Sequence, residues 1–568
     1  MGVITPTLAI KRHKRGDRVY LAEYKQVREG KKVRSVFVRY LGPEDEVKAG
    51  RKPKGRVLDR LDMKRSHRAG DVRLLWALAQ DLGLVEEMDG ICCGISRIDG
   101  PSPGKYLTMW AINRALDPES CTQLERWVAT TDLPLLAGVD PEVFDKDSFL
   151  GSLDFVCRED ASTGGYVDHS ASIDEALYRR WRQSHPLAGG ETVAYDLTSV
   201  LFFGVTCPLG ERGYNTNGSR RQQVNLAVLV SKVDRAPITH FVYNGSRNTS
   251  STVKNLLARL KSTHLTPGTL IWDRANVSKA HVGNVEQAGW KLICGVPKTS
   301  KDARALVDGT DVPLRPDTYI RRTGAGHLYA VRAKGPLFGR KRSVVVYVNQ
   351  ERRARDLNER NNALAEIGKE LDDLAERGKD WGEARLHTEI GKIAGKWDGY
   401  VSTRVKRKGD GARVEWRYRS RQMAQAERSY GTYLLLTTDE SLTTEEAVKA
   451  YLEKDFVEKV FRMLKTTEEL EPVRHRLENR VRAYMFVCML AYRLLAALRF
   501  RIAEATGEDG SCERTSELLR DLRRVERVEV GFGKEVKTWY LNTTKAIEKM
   551  LKKIGMKNLL KEEVRLKV

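Results

Sequence analysis

Between Glu191 and Val296 the apolar pattern runs strand, helix, strand, and that order restricts the fold more than any other feature of the chain. Glu191–Phe203 is rich in Val, Leu, Phe and Thr and reads as a strand. Val224–Val233 and Ala236–Tyr243 read as two more, around Asp234. A helix with Val253, Leu256, Leu257 and Leu260 follows. Next come the short apolar strand Thr269-Leu-Ile-Trp-Asp273, a helix over Asn276–Ala288 and a strand over Trp290–Val296. Strands joined through helices call for a crossover connection, so the expected class is α/β.

The flanks have a different rhythm. Residues 18–26 and 33–41 read as a hairpin around Arg28–Lys32, and 43–62, with Pro43, Gly50, Pro53 and Gly55, as a basic linker. From 63 to 185 the chain reads as mainly helical: Leu74, Leu75, Leu78 and Leu82 recur at helical spacing up to Gly83, and a second block runs from Leu107 to Cys157. Residues 300–430 break the α/β pattern with a strand at Val344–Val348, a charged helix at Glu351–Arg377, and a hairpin of Tyr400–Lys406 and Ala412–Tyr418. Tyr433–Thr437 then resumes an apolar strand, and a helix starts near Thr443–Glu445. The expected divisions are therefore 1–62, 63–185, 186–299, 300–430 (an insertion), 431–500 and 501–568, the last holding a second basic hairpin and a Lys-rich helix.

With 568 residues and a formal charge of +23, the chain favours a polyanionic partner, nucleic acid above all. Residues 1–60 hold 17 Lys+Arg against 7 Asp+Glu, which is +10 of that total. The basic clusters are Lys11–Arg18 and Lys48–Arg60 within that stretch and Arg404–Arg421 beyond it, each of which a solvated surface would also explain. An anionic membrane surface would ask for an amphipathic anchor or a lipidation motif, and neither is seen. The apolar helix around Ala483–Leu498 contains Arg493 and lies between Arg482 and Arg499, so it is expected in a protein core. No signal-peptide stretch is recognised, and a cytosolic, DNA-associated protein without a membrane partner is expected. The eight cysteines form no Cys-x-x-Cys pair, and no P-loop occurs, which disfavours a zinc site and an ATP-driven motor.

Three acids stand out. Asp196 sits mid-strand in Val193-Ala-Tyr-Asp-Leu-Thr-Ser199, where a carboxylate needs compensation; an edge-strand or capping role is the alternative. Asp273 ends an apolar strand at a helix entry, and the carboxyl ends of strands are where sites form in open α/β sheets; an ordinary N-cap is the alternative. Glu458 belongs to Tyr451-x2-Lys454-x3-Glu458-x6-Lys465. On one helix at about 100° per residue these four form a stripe, with Phe456, Val457, Val460 and Leu464 opposite. A solvated helix face is the alternative. Carboxylates converging from separate elements suit oxygen-loving Mg²⁺, and a pair of such ions serves phosphodiester cleavage.

The Tyr-Lys-Glu-Lys spacing resembles the Y-R-E-K signature of the DDE transposases of bacterial and archaeal insertion sequences (the insertion-sequence-four-like superfamily). Val193–Ser199 and Leu270-Ile-Trp-Asp-Arg274 resemble that family's two acidic strands, Gly213–Leu226 the segment after the first, and Arg474–Arg482 the segment after the glutamate. The N-terminal hairpin followed by Gly70-Asp-Val-Arg73 resembles a subgroup with long N-terminal regions. Lys454 replaces the usual Arg, keeping the charge and losing the planar fork.

The resemblance implies a ribonuclease H-like catalytic core interrupted by an insertion before the glutamate helix, preceded by a β-hairpin and helical region. It implies catalysis by Asp196, Asp273 and Glu458 with two Mg²⁺ ions, for which Mn²⁺ is an expected substitute. The activity implied is cut-and-paste transposition: cleavage at terminal inverted repeats, then joining of 3′-hydroxyl ends to target DNA. Double-stranded DNA is the partner, held by a homodimer in the synaptic complex. Tyr451, Lys454 and Lys465 are expected on end-proximal phosphates, and Trp416 and Tyr418 on an unpaired base, unless those two rings are core. Two readings compete: a catalytically inert DNA-binding descendant, and a ribonuclease H-like nuclease without strand transfer.

Overall fold

The computed structural model describes residues 8–29, 32–50, 61–92, 100–203, 206–213, 221–247, 249–263, 265–324, 326–408, 411–507, 512–532, 535–561 and 563–566. The chain divides into two compact units. One is Met1–Leu74 with Thr130–Asp132 and Ser516–Val568; the other is Leu75–Ala129 with Leu133–Thr515.

In the first unit Arg18–Glu29 and Lys32–Pro43 pair antiparallel as the expected hairpin, whose turn residues 30–31 lie outside the described residues. A third strand, Leu8–Arg15, joins on the other side of Arg18–Glu29. Its run Lys11–Arg15 reads as a solvated charge cluster, which hid it. Of the expected linker, Glu44–Lys48 is a short helix and 51–60 lie outside the described residues. Leu61–Arg68 is a strand, against the helical expectation from residue 63. It pairs with Glu526–Phe532 in a four-stranded sheet completed by Glu535–Leu541 and Glu563–Leu566. Its partner lies more than 450 residues along the chain, beyond the reach of local periodicity. Asp132, fully buried, accepts from Arg73 Nε and Arg527 Nε at 2.7 Å each, so one interior charge is matched from two directions.

A ten-stranded sheet organises the second unit. From edge to edge run Pro237–Asn244, Gln222–Ser231, Glu191–Leu201, Pro267–Trp272, Lys291–Val296, Thr432–Thr437, Arg340–Asn349, Gly326–Leu337 and Tyr319–Thr323, with Glu211–Arg212 paired to Gln222–Ser231. Glu191–Leu201, Pro267–Trp272 and Lys291–Val296 are parallel neighbours, as the strand–helix–strand reading requires. The other described pairings in this sheet are antiparallel. The chain is thus mixed α/β. Part of the 300–430 stretch extends the sheet, through three strands at 319–349. The rest, Gln350–Arg377, Glu383–Ala394 and the hairpin Val401–Lys408/Gly411–Tyr418, closes a core of its own around Leu364, Leu371, Leu374, Leu386 and Val401.

The helix Glu478–Thr506 is long and apolar enough to cross a membrane, yet 94% of its most apolar window is buried within the protein. It packs against Pro103–Leu116, Lys146–Val156 and the edge strand Pro237–Asn244. A small hairpin, Cys157–Asp160/Gly165–Asp168, interrupts the helical region and was not expected. Arg493, the charge inside the long helix, reaches Asp174 Oδ1 at 3.2 Å. Asp174 Oδ2 lies 2.8 Å from His240 Nδ1. Burial opposes the Asp174 charge, but His240 and Arg493 outweigh it and hold the carboxyl below its ordinary range. Replacing Asp174 with Ala leaves the Arg493 guanidinium buried and unmatched. We expect a loss of ~3–5 kcal/mol, read as a lower urea midpoint at an unchanged slope.

Candidate active site

Asp196 and Asp273 are brought together by strand register. Tyr195 pairs with Trp272 across parallel strands, so each acid stands one residue beyond that pair. Residues level on neighbouring strands share a face of the sheet. Asp196 is further held by the Leu197 N–H, which donates to its Oδ1 at 2.8 Å.

The third acid arrives on the helix Asp455–Thr466. Its burial follows the sequence pattern: Phe456, Val457, Val460 and Leu464 are interior, and Glu458 is left exposed. This helix packs on the Asp196 strand. Its far end is tied there too: the Lys465 ammonium donates to the Ser199 carbonyl, and Glu471 accepts from the Leu201 N–H at 2.9 Å. Val473 N–H donates to Leu201 O at 2.9 Å.

The four signature residues do not form one stripe. The helix Thr444–Leu452 ends before Asp455–Thr466 begins. At the junction Lys454 N–H bonds Tyr451 O, Phe456 N–H bonds Glu453 O, and Val457 N–H bonds Lys454 O. These i to i+3 bonds tighten the turn and change the angular register on which the stripe depended. Lys232 at 2.8 Å from Glu453 and Arg235 stacked 4.1 Å above Phe456 fasten the junction. The first helix is firmly capped: Thr443 and Glu446 form a complete capping box.

Tyr451 is 9% exposed, and its phenol donates to Asp273 Oδ1 at 3.2 Å. Lys454 Nζ stands 3.7 Å from the same oxygen. Lys465 also lies 3.6 Å from Glu471, so its charge serves the joint between helix and strand. Trp416 and Tyr418 lie in the hairpin Val401–Lys408/Gly411–Tyr418, edge to face at 5.0 Å. The Trp416 N–H goes to Asp372 Oδ1 at 2.8 Å and the Tyr418 hydroxyl to Leu364 O at 2.9 Å, which binds both rings to the Gln350–Arg377 helix; Tyr418 keeps 39% exposure. The stretch 214–220, within the segment that resembles the family after its first acid, lies outside the described residues.

Sequence reading passed over Gly295. It lies on the strand beside Asp273, and a Cβ there would fall 2.5 Å from the Tyr451 hydroxyl. A glycine inside an apolar strand was the available signal for such a close approach.

Asp196 feels the charge of both other acids. Burial is the largest influence on Asp196 and pushes its carboxyl up to about 6; the charges of Asp273 and Glu458 push the same way, while the Leu197 N–H and Lys454 pull it down. Burial also raises the Tyr451 phenol, reinforced by Asp273. Among the described residues no three His, Cys, Asp or Glu side chains form a ready metal cluster. The donor set nonetheless suits a hard divalent cation: carboxylate oxygens from three elements, two of them pressing on Asp196 by charge, with Lys454 near Asp273 and acting on Asp196.

The family model described as Transposase DDE domain matches residues 188–494, a stretch that contains all three acids. Among solved structures, the chain is similar to a cryo-EM structure of a piggyBac transposase synaptic complex with hairpin DNA, at 13% identity and a TM-score of 0.37, over 80% of each chain. No curated protein matches it.

The raised Asp196 sets a pH dependence. A neutral acid is favoured in the fold, so its stabilising contribution is complete below the ordinary value of 3.8 and is lost as pH rises through about 6. In metal-free protein, Asp196→Asn is expected to melt a few degrees higher than the parent above pH 6, with the difference vanishing below pH 4. Thermal denaturation with a chelator across that range measures it.

Proposed function

Because the chain belongs to the transposase DDE domain family, we propose that it is a metal-dependent DNA transposase of the insertion-sequence type, with the Y-R-E-K signature at Tyr451, Lys454, Glu458 and Lys465. The observation that carries this reading is the parallel-strand register that sets Asp196 level with Asp273, with Glu458 on the adjoining helix acting on Asp196 through its charge. The sheet and its acids are read as a ribonuclease H-like core, and the 350–430 subregion, placed between strand and glutamate helix, as its insertion.

Transposase DDE domains typically use divalent metal ions. Asp196, Asp273 and Glu458 would hold them here, with two Mg²⁺ as the proposed complement and Mn²⁺ as a substitute. When bound, such ions sharpen a water as nucleophile and neutralise charge on the phosphate. The protein's own groups do the rest. The parallel strands keep two carboxylates level, and the helix brings the third to them from outside the sheet. Lys454 compensates part of the negative charge of the site, and its long side chain would then reach a phosphate.

In the proposed reaction, water attacks a phosphodiester at the end of the element, leaving a 3′-hydroxyl. That hydroxyl attacks a phosphodiester in turn, first to complete excision and later to join target DNA. Each step exchanges one P–O bond for another, so no covalent protein–DNA intermediate is needed. The basic N-terminal strands and the Arg404–Arg421 hairpin are proposed to lie along the DNA backbone, where Tyr418 offers its exposed face to a base. Two element ends require two active sites, hence a homodimer in the synaptic complex.

The test mixes purified protein, Mg²⁺ and a plasmid carrying short inverted repeats from either side of the gene. The parent protein is expected to release the segment. Asp196→Ala, Asp273→Ala and Glu458→Ala are expected to retain end binding while cleavage falls roughly a thousandfold, about 4 kcal/mol of barrier. Full excision by one of these variants removes that residue from the catalytic set. A parent protein that binds the ends but never nicks them overturns the enzymatic reading in favour of an inert DNA-binding descendant.

A further inference from the structure

Tyr451 was expected on a DNA phosphate, but its surroundings point elsewhere. Its ring is interior, 9% exposed, and its hydroxyl ends at Asp273 Oδ1, 3.2 Å away. A side chain so placed would have to leave its cavity to meet a phosphate. It reaches Asp273 through a gap in the neighbouring strand. Trp272 pairs with Cys294, so Gly295 is level with Asp273. A Cβ at Gly295 would lie 2.5 Å from the Tyr451 hydroxyl, 3.2 Å from the ring carbon that bears it and 3.4 Å from Arg274 Cβ. Any larger residue there would push the hydroxyl away from the carboxylate.

We infer that Tyr451 and Gly295 are a matched pair of positioning residues for Asp273: the phenol orients the carboxylate for metal binding, and the glycine supplies the space through which the phenol arrives. The inference rests on the proposed metal-binding role of Asp273. A free carboxylate at the end of a strand rotates about its side-chain bonds. One hydrogen bond from a buried, tightly enclosed donor stops that rotation and leaves the group preorganised. Partners of this kind around ligating carboxylates contribute substantially to metal affinity. Lys454 cannot replace it, because its ammonium sits on a flexible stem, 3.7 Å away. The two residues after Tyr451 thus separate two different roles: Tyr451 orients Asp273, and Lys454 compensates its charge.

The experiment uses the full chain and two readouts: calorimetric titration with Mn²⁺ alone, and affinity for end DNA in the presence of a chelator. Tyr451→Phe is expected to weaken Mn²⁺ binding about tenfold and to raise the Mn²⁺ concentration that half-saturates cleavage by the same factor. Its DNA affinity without metal should stay within about twofold of the parent, a difference of less than half a kcal/mol. Gly295→Ala should weaken Mn²⁺ binding similarly. In the double variant the Phe ring lacks the colliding hydroxyl, so adding Gly295→Ala to Tyr451→Phe should change Mn²⁺ affinity no further.

Loss of DNA affinity in Tyr451→Phe with unchanged Mn²⁺ binding would overturn the inference and restore a phosphate contact. So would a Gly295→Ala effect of equal size with either Tyr or Phe at 451, since it would then act through the strand alone. If the parent protein binds no Mn²⁺, the metal-binding reading fails, and this inference with it.

Discussion

Parallel pairing of Glu191–Leu201 with Pro267–Trp272 is the constraint from which the rest of the site follows. It sets Tyr195 against Trp272 and therefore places Asp196 and Asp273 level with each other. Like charges on neighbouring strands are unfavourable, and burial makes them more so. Burial above all, with a smaller push from the Asp273 charge, drives the Asp196 carboxyl up to about 6. Such an arrangement is unfavourable when the carboxyls are charged, and a neighbouring cation such as Lys454 relieves it. The strain is borne by a sheet whose neighbouring strands are almost wholly apolar: Leu226–Val230, Leu270–Trp272 and Leu292–Cys294 are all buried.

The third acid depends on a different interaction. A glutamate on a helix has no register with a sheet, so its position is only as firm as the packing of that helix. Here the buried Phe456–Leu464 face fixes the rotation of the helix, and the bonds of Lys465 and Glu471 to the Asp196 strand fix its far end. The tightened turn at Glu453–Lys454 lets Tyr451 point into the interior while Glu458 remains outside. Tyr451 then meets Asp273 through a hydrogen bond, while Glu458 acts on Asp196 through its charge.

Charge is distributed in opposition across the chain. A formal +23 favours a polyanion, while the site itself is acidic. A phosphate backbone drawn in by the first would be repelled by the second unless cations intervene. Lys454 compensates part of that repulsion in the absence of metal. At Asp132 and Asp174 the buried charges are matched within the protein and contribute structure rather than chemistry.

Much of this was legible in the amino-acid order. Alternation and apolar runs located the strands around Asp196 and Asp273, and helical spacing identified the buried face of Phe456, Val457, Val460 and Leu464, because each depends on residues only a few positions apart. Leu61–Arg68 was misread, since what makes it a strand is Glu526–Phe532 at the other end of the chain. Gly295, Lys465 and Tyr451 also acquire their meaning from distant partners. The sequence by itself determined which side chains could bury and which acids were available. Only the tertiary structure decided which acids meet and which signature residue faces inward, because those outcomes depend on strand register and on one tightened turn, neither of which local periodicity records.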